Sequence, residues 1–387
     1  MKKTILLFFF INLIFGQPPT ISLNDLWNGN YNPVRLESVR SMKNGTSYTV
    51  LETTSQKATT TVMQYDFNKV NSGTIIVSSD NLPEITSFSN YSFSKNEEKI
   101  ILETEVNSIY RRSKEAIYWT YNKKNKELHK ISDNKIQEPL FSPDATKIAY
   151  VFERNLFIKD LVSQKKVQVT FDGDYKTLNG ISDWVYEEEF GFVRAFDWSP
   201  DSSALVYMRF DETKVPIFSM DIYGKDVYQF PYRFRYPKAG EENSKITLHH
   251  FTVENRKKKR ISFEGEVPYY IPRIKFEEGN NGLIIQTLNR HQNHLKVWRW
   301  IPKTGKMQLL LEEKDEAYVS IHDNLQFLED ATFLWTSERD GYNHVYHYDR
   351  NGALLNQVTK GNWEVTELYG DNETAQEIYY QYVEGRS

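Results

Sequence analysis

Three adjacent glutamates, Glu187, Glu188 and Glu189, stand between bulky aromatic residues in the stretch DWVYEEEF, Asp183 to Phe190. Like charges repel at this spacing, so the cluster is costly unless water solvates it or a positive group comes to meet it. It reads either as a solvated surface turn or as a receptor for a cation. Other arrangements that could do chemistry are weaker. An elbow for a serine nucleophile needs G-x-S-x-G, with Asp and His further along. The nearest approach, GISDW from Gly180, lacks the final glycine, so no nucleophile, acid or base is assigned to any residue. The pairs His291/His294 and His344/His347 are each three residues apart. In strands that spacing sends the rings to opposite faces, so no metal site is expected. Arg339 in SERDG reads as part of a polar turn, with contact to a ligand as the alternative. Trp184 and Tyr186 read as core anchors for the glutamate turn.

The elements that must position these groups are strands. The chain of 387 residues is 14% aromatic, with 25 Tyr and 23 Phe, and this composition suits pleated, half-buried surfaces. Helical periodicity is almost absent after residue 30. Short alternating runs recur instead, such as KIAYVFERNLFIKD from Lys147 and ALVYMRFD from Ala204. A net charge of −4 with no acidic or basic half argues against a nucleic-acid partner. The one basic run, NRKKKR from Asn255, lies between strand-like segments and reads as a solvated hairpin tip. At the N-terminus, MKK, the apolar run TILLFFFINLIFG and then QPP match a secretory signal peptide over residues 1–16. The expectation is export to the periplasm, the cell surface or the medium. No cysteine is present, so the fold has no disulfide.

A repeat runs through the strands. An aromatic residue and a polar turn recur as FSKN at Phe93, FSPD at Phe141, WSPD at Trp198, FEEG at Phe276 and FLED at Phe327. Weaker copies are SMKN at Ser41 and LYGDN near Tyr369. Apart from the 78 residues between Trp198 and Phe276, successive copies lie 42 to 57 residues apart. That is the length of one four-stranded propeller blade. The expected fold is an all-β propeller with a 17–40 lead-in and blades over 41–387, six of them and part of a seventh. A pattern that stops partway through a hairpin at YYQYVEGRS suggests a piece of a longer protein. The long gap predicts an ordered arm over 216–240.

NGISDWVYEEEF, WSPDSSALVYMRFDETKVP, YPKAGEENSK and WTSERDGYNHVYHYDRNGALLNQVTKGNWEV together resemble the N-terminal propeller of bacterial dipeptidyl peptidase IV enzymes, within the prolyl oligopeptidase family of serine peptidases. The resemblance extends from about residue 20 to the end. It implies an eight-bladed propeller capping an α/β-hydrolase domain that is absent from this chain. It also implies removal of X-Pro and X-Ala dipeptides from free peptide N-termini, with no metal or cofactor. By position, Glu188 and Glu189 match the family glutamates that hold the substrate α-ammonium. Arg111, in YRRS, matches the family arginine that contacts the substrate backbone, with Arg112 where the family often has His. The 216–240 arm corresponds to the family segment that takes part in dimerisation, so a homodimer is implied.

Geometry sets a condition on this reading. In a strand Glu188 and Glu189 would point to opposite faces. In a helical turn they lie about 100° apart and can converge on one cation. Ser182 or Asp183 suits the N-cap of such a turn. The expectation is a short helix that interrupts a blade and points into the central cavity. Two rival readings share the fold: the propeller of a prolyl tripeptidyl or acylaminoacyl peptidase, or a stand-alone binding propeller.

Overall fold

The computed structural model describes residues 21–33, 38–54, 59–263, 265, 267–279 and 282–384. The signal peptide expected over residues 1–16 lies outside them. Contacts divide the chain into one unit of residues 1–52 and 62–75 and another of residues 53–61 and 76–387. The first contains the helix Leu23–Trp27, capped by Ser22, whose hydroxyl accepts from the Asp25 N–H at 3.1 Å. Strand Arg40–Ser41 pairs antiparallel with the strand that begins at Ser47, with Arg40 opposite Thr49 and Ser41 opposite Tyr48. Tyr48 packs on Phe67 at 4.9 Å between ring centroids.

The second unit repeats one plan. Four-stranded antiparallel sheets in chain order run from Asn90, from Gln137, from Tyr270 and from Gln326, and the strands Trp363–Asn372 and Glu377–Glu384 pair alone. The sheet between residues 177 and 261 has five strands, because its first position is split between Thr177–Asn179 and Phe196–Trp198. Both of these pair with Ala204–Asp211.

The repeated aromatic residues close the first strands of their sheets. Phe93, Phe141, Trp198, Phe276 and Phe327 each end one, and a turn follows. The WSPD turn shows why the motif works. Pro200 fixes φ at the first corner. The Ser199 hydroxyl donates to Asp201 at 2.6 Å and accepts from the Ala204 N–H at 2.9 Å, and the Ser203 N–H donates to Asp201 at 3.1 Å. Ser202 takes the left-handed conformation at φ 60° that reverses the chain. Ala145 and Glu97 do the same after FSPD and FSKN. The weak copy near Tyr369 differs, because that residue lies inside strand Trp363–Asn372.

The strands after these turns bury both faces. Ala204 to Met208 are all buried on both faces, because hydrophobic packing occupies both sides of the sheet. The outermost strand Lys258–Ile261 is exposed except at Ile261. The basic run therefore forms a tip at Asn255–Lys257 and continues into a solvated edge, opposite His249 and His250.

Candidate functional site

The split in the fourth strand set is what builds the site. Between Asn179 and Phe196 the chain leaves the sheet and returns, and its exit is closed by the Ala195 N–H donating to the Gly180 carbonyl at 3.0 Å and Ser182 N–H to Val193 at 2.8 Å. The excursion carries the helix Trp184–Glu189. Asp183 is its N-cap and accepts from the Tyr186 N–H at 3.0 Å. Its other oxygen accepts from the Ser244 hydroxyl at 2.5 Å. Complete burial pushes the Asp183 carboxyl above its ordinary range, against those two hydrogen bonds. Tyr186 fixes the underside. Its hydroxyl accepts from the Ile271 N–H at 3.0 Å, and its ring meets Phe190, Phe192, Phe210 and Tyr270. Trp184 is half-buried and packs on Tyr236 at 4.4 Å.

The three glutamates have three different environments. Glu187 is 1% exposed, and its Oε1 accepts from the N–H groups of Arg112 at 2.6 Å and Ser113 at 2.8 Å. Glu188 has a side chain 17% exposed, and its Oε2 meets Arg111 Nε at 2.9 Å. Glu189 is exposed. Arg111 and Glu188, matched separately to the family pattern, are thus brought together across 77 residues of sequence. The Arg111 side chain is 72% exposed, so this ion pair is worth at most about 1 kcal/mol. Each hydrogen bond to the buried Glu187 carboxylate is in the range of about 1.5–3 kcal/mol.

Reading the sequence for a cation receptor overlooked Glu187. A signal was present: Asp183, Tyr186, Glu187 and Phe190 are spaced three and four apart and share the buried face of the helix, while Glu188 and Glu189 lie off it.

Behind the helix, Trp184, Glu187, Tyr110, Tyr232, Arg235 and Glu212 line a cavity of about 340 Å³. The arm closes one side of it. That arm is a hairpin, Ile217–Ile222 against Phe230–Arg235, as the long gap predicts, and Arg235 Nη1 donates to the Val215 carbonyl at its base at 2.6 Å. Burial, and then the charge of Asp183, pushes the Glu212 carboxyl up to about 7, with Arg154 and Arg235 opposing. Because the folded value lies above the unfolded one, the stability that the proton brings is complete below pH 4.5 and is lost as pH rises through 7. Glu212→Gln should remove about 3 kcal/mol of that decline. Denaturant unfolding at pH 5 and pH 8 checks it: the variant should lose less stability than the parent between the two, and parallel losses would refute it. Asp183, Asp197 and Glu138 shift the same way through burial, whereas burial lowers His249, His250 and His322 and so raises stability with pH over the same range. The difference between parent and variant, rather than either slope alone, isolates Glu212.

Of the two histidine pairs, only His344/His347 lies within one strand and separates as its spacing suggests. His344 is buried against Thr359 and the Gly361 carbonyl, while His347 reaches Thr332 on the other face. His291 sits in a turn rather than a strand, and His294 heads the next strand beside Glu312. Among the described residues, no group of three or more His, Asp or Glu side chains could hold a metal ion. Arg339 is held by Glu313 at 2.9 Å and by Tyr348.

Residues 94–387 match the family described as the dipeptidyl peptidase IV (DPP IV) N-terminal region. The chain belongs to this family. The crystal structure of Porphyromonas gingivalis dipeptidyl peptidase 4 superposes with a TM-score of 0.86 at 34% identity, over 94% of this chain and 52% of that one. Prolyl endopeptidase FAP of Homo sapiens is 27% identical over 380 residues, 88% of this chain and 49% of the human protein. Dipeptidyl peptidase 4 of Sus scrofa is 27% identical over 324 residues, 76% of this chain and 41% of the pig protein. The chain thus spans about half the length of the relatives it matches. Among the described residues the four-stranded antiparallel sheets match those of the dipeptidyl peptidase 4 propeller, and the fold is of that all-β class.

Proposed function

We propose that this chain is the substrate-recognition part of an exported serine exopeptidase that releases X-Pro and X-Ala dipeptides. Glu188 and Glu189 receive the free α-ammonium of the peptide, and Arg111 lies beside them to meet its backbone. The observation that carries this reading is the 2.9 Å pairing of Arg111 with Glu188 on a helix that leaves Glu189 open to solvent. Charge-assisted hydrogen bonds from an ammonium to two carboxylates are strong and directional. Holding the amino terminus at a fixed distance from a nucleophile leaves only the second peptide bond within reach. A longer N-terminal extension would meet the helix, so the glutamates also gate length. The nucleophile, acid and base belong to a hydrolase domain outside this chain, and the 216–240 arm joins two copies.

The test compares Gly-Pro and N-acetyl-Gly-Pro chromogenic amides with the complete gene product. Acetylation removes the positive charge while the scissile bond stays the same, so kcat/KM should fall by at least about 100-fold, the scale for stranding a charged site without its partner. Equal rates on the two substrates would overturn the reading in favour of an endopeptidase or acylaminoacyl type.

A further inference from the structure

Glu187 is given no task by the ammonium reading, yet it is the best-bonded carboxylate of the three. It joins two segments far apart in sequence. Its Oε1 takes the N–H groups of Arg112 and Ser113, and Arg112 Nη1 donates back to the Glu187 carbonyl at 3.2 Å. The loop it grips lies between strands Lys99–Ser108 and Lys114–Asn122 of another blade. Ile109 N–H to the Ser113 carbonyl at 2.8 Å and Tyr110 N–H to the Ser113 hydroxyl at 3.1 Å close that loop on itself. The other link from loop to helix through a glutamate side chain is the solvent-exposed Arg111–Glu188 pair, the weaker of the two.

We propose that Glu187 is a positioning residue: it clasps the Tyr110–Ser113 loop to the glutamate helix and so sets Arg111 against Glu188. The functional half of this inference rests on the ammonium reading of Glu188, Glu189 and Arg111; the clasp itself does not. One oxygen accepts both N–H groups, so a carboxamide oxygen can do the same. Glu187→Gln therefore keeps the loop in place, whereas Glu187→Ala leaves two N–H groups without their acceptor and frees it. This separates positioning from charge recognition, since at Glu188 or Glu189 the same Gln change removes what the ligand needs.

Two readouts test it. In the complete gene product, trypsin cleavage after Arg111 and Arg112 is measured relative to cleavage at the exposed tip Arg256–Lys257, which corrects for global unfolding. Glu187→Ala should raise that ratio about tenfold and Glu187→Gln less than about threefold, as expected when local opening of the loop limits cleavage. In the complete gene product, Glu187→Ala should raise KM for Gly-Pro amide about tenfold with kcat nearly held, and should add less than about twofold in an Arg111→Ala background. An unchanged cleavage ratio overturns the clasp. Effects of Glu187→Ala and Arg111→Ala that simply multiply overturn its action through Arg111. If Arg111→Ala alone leaves the kinetics unchanged, the recognition role of Arg111 is what fails, and the proteolysis ratio still decides whether Glu187 holds the loop.

Discussion

Glu188→Gln and Glu189→Gln should each lower kcat/KM on a Gly-Pro amide by about 30-fold to several-thousand-fold, the range that follows from 2–5 kcal/mol for stranding one member of a buried charge pair. Gln keeps size and one acceptor, so the loss reports charge rather than shape. The two positions should differ in kind. Glu188 also holds Arg111 at 2.9 Å, so its replacement should disturb two contacts to the substrate. Glu189 is exposed and has only the ligand to lose. The double variant should cost less than the product of the singles, because both oxygens serve one cation. Steady-state kinetics on purified variants checks this, with unfolding curves to show that the fold is intact. Parent-like kcat/KM for both single variants would remove the case for an ammonium receptor.

The second large effect is on stability. Arg299 and Glu277 form a forked ion pair, Nε to Oε2 at 3.1 Å and Nη2 to Oε1 at 2.7 Å, with side chains 6% and 3% exposed. Arg299 Nη1 also donates to the Arg350 carbonyl at 2.6 Å, and this ties one blade to the next. Gly282 makes room for the fork, since a Cβ there would stand 2.6 Å from the Glu277 carboxylate. Glu277→Leu strands a buried guanidinium and should cost about 3–5 kcal/mol. Glu277→Leu with Arg299→Met should recover most of that loss, since an apolar pair of similar volume needs no counter-charge. The Arg350 carbonyl, left without its donor, keeps the recovery incomplete. Denaturant midpoints of the two variants decide it. A double variant as unstable as the single one would show that the pair is worth more than its desolvation.

How far these features could be read from sequence follows from their range. The aromatic-and-turn repeat was legible because each copy is local: Ser199, Pro200 and Asp201 specify their own turn within five residues, and the strand follows. The glutamate helix was legible only in part: Asp183 marks its N-cap locally, but the helix itself followed from the condition that Glu188 and Glu189 converge on one cation. Glu277 shows the opposite case. In FEEG it reads as a turn residue, and only the neighbouring strand, 22 positions on, turns it into half of a buried pair. Glu212 likewise looks like a surface residue in DETKVP until the arm folds over it. The pairing of Arg111 with Glu188 spans two blades and could be reached only through likeness to a family, since no local pattern encodes it.

Tyr186 bears on how a ligand would be met. Its hydroxyl on Ile271 and its ring among four aromatic partners fasten the helix from below before anything arrives above. The conformational entropy of the receptor is therefore lost during folding and not during docking. Association then resembles the capture of an ion by a rigid chelator, with the main chain of the helix already in its final pose and only solvent left to displace.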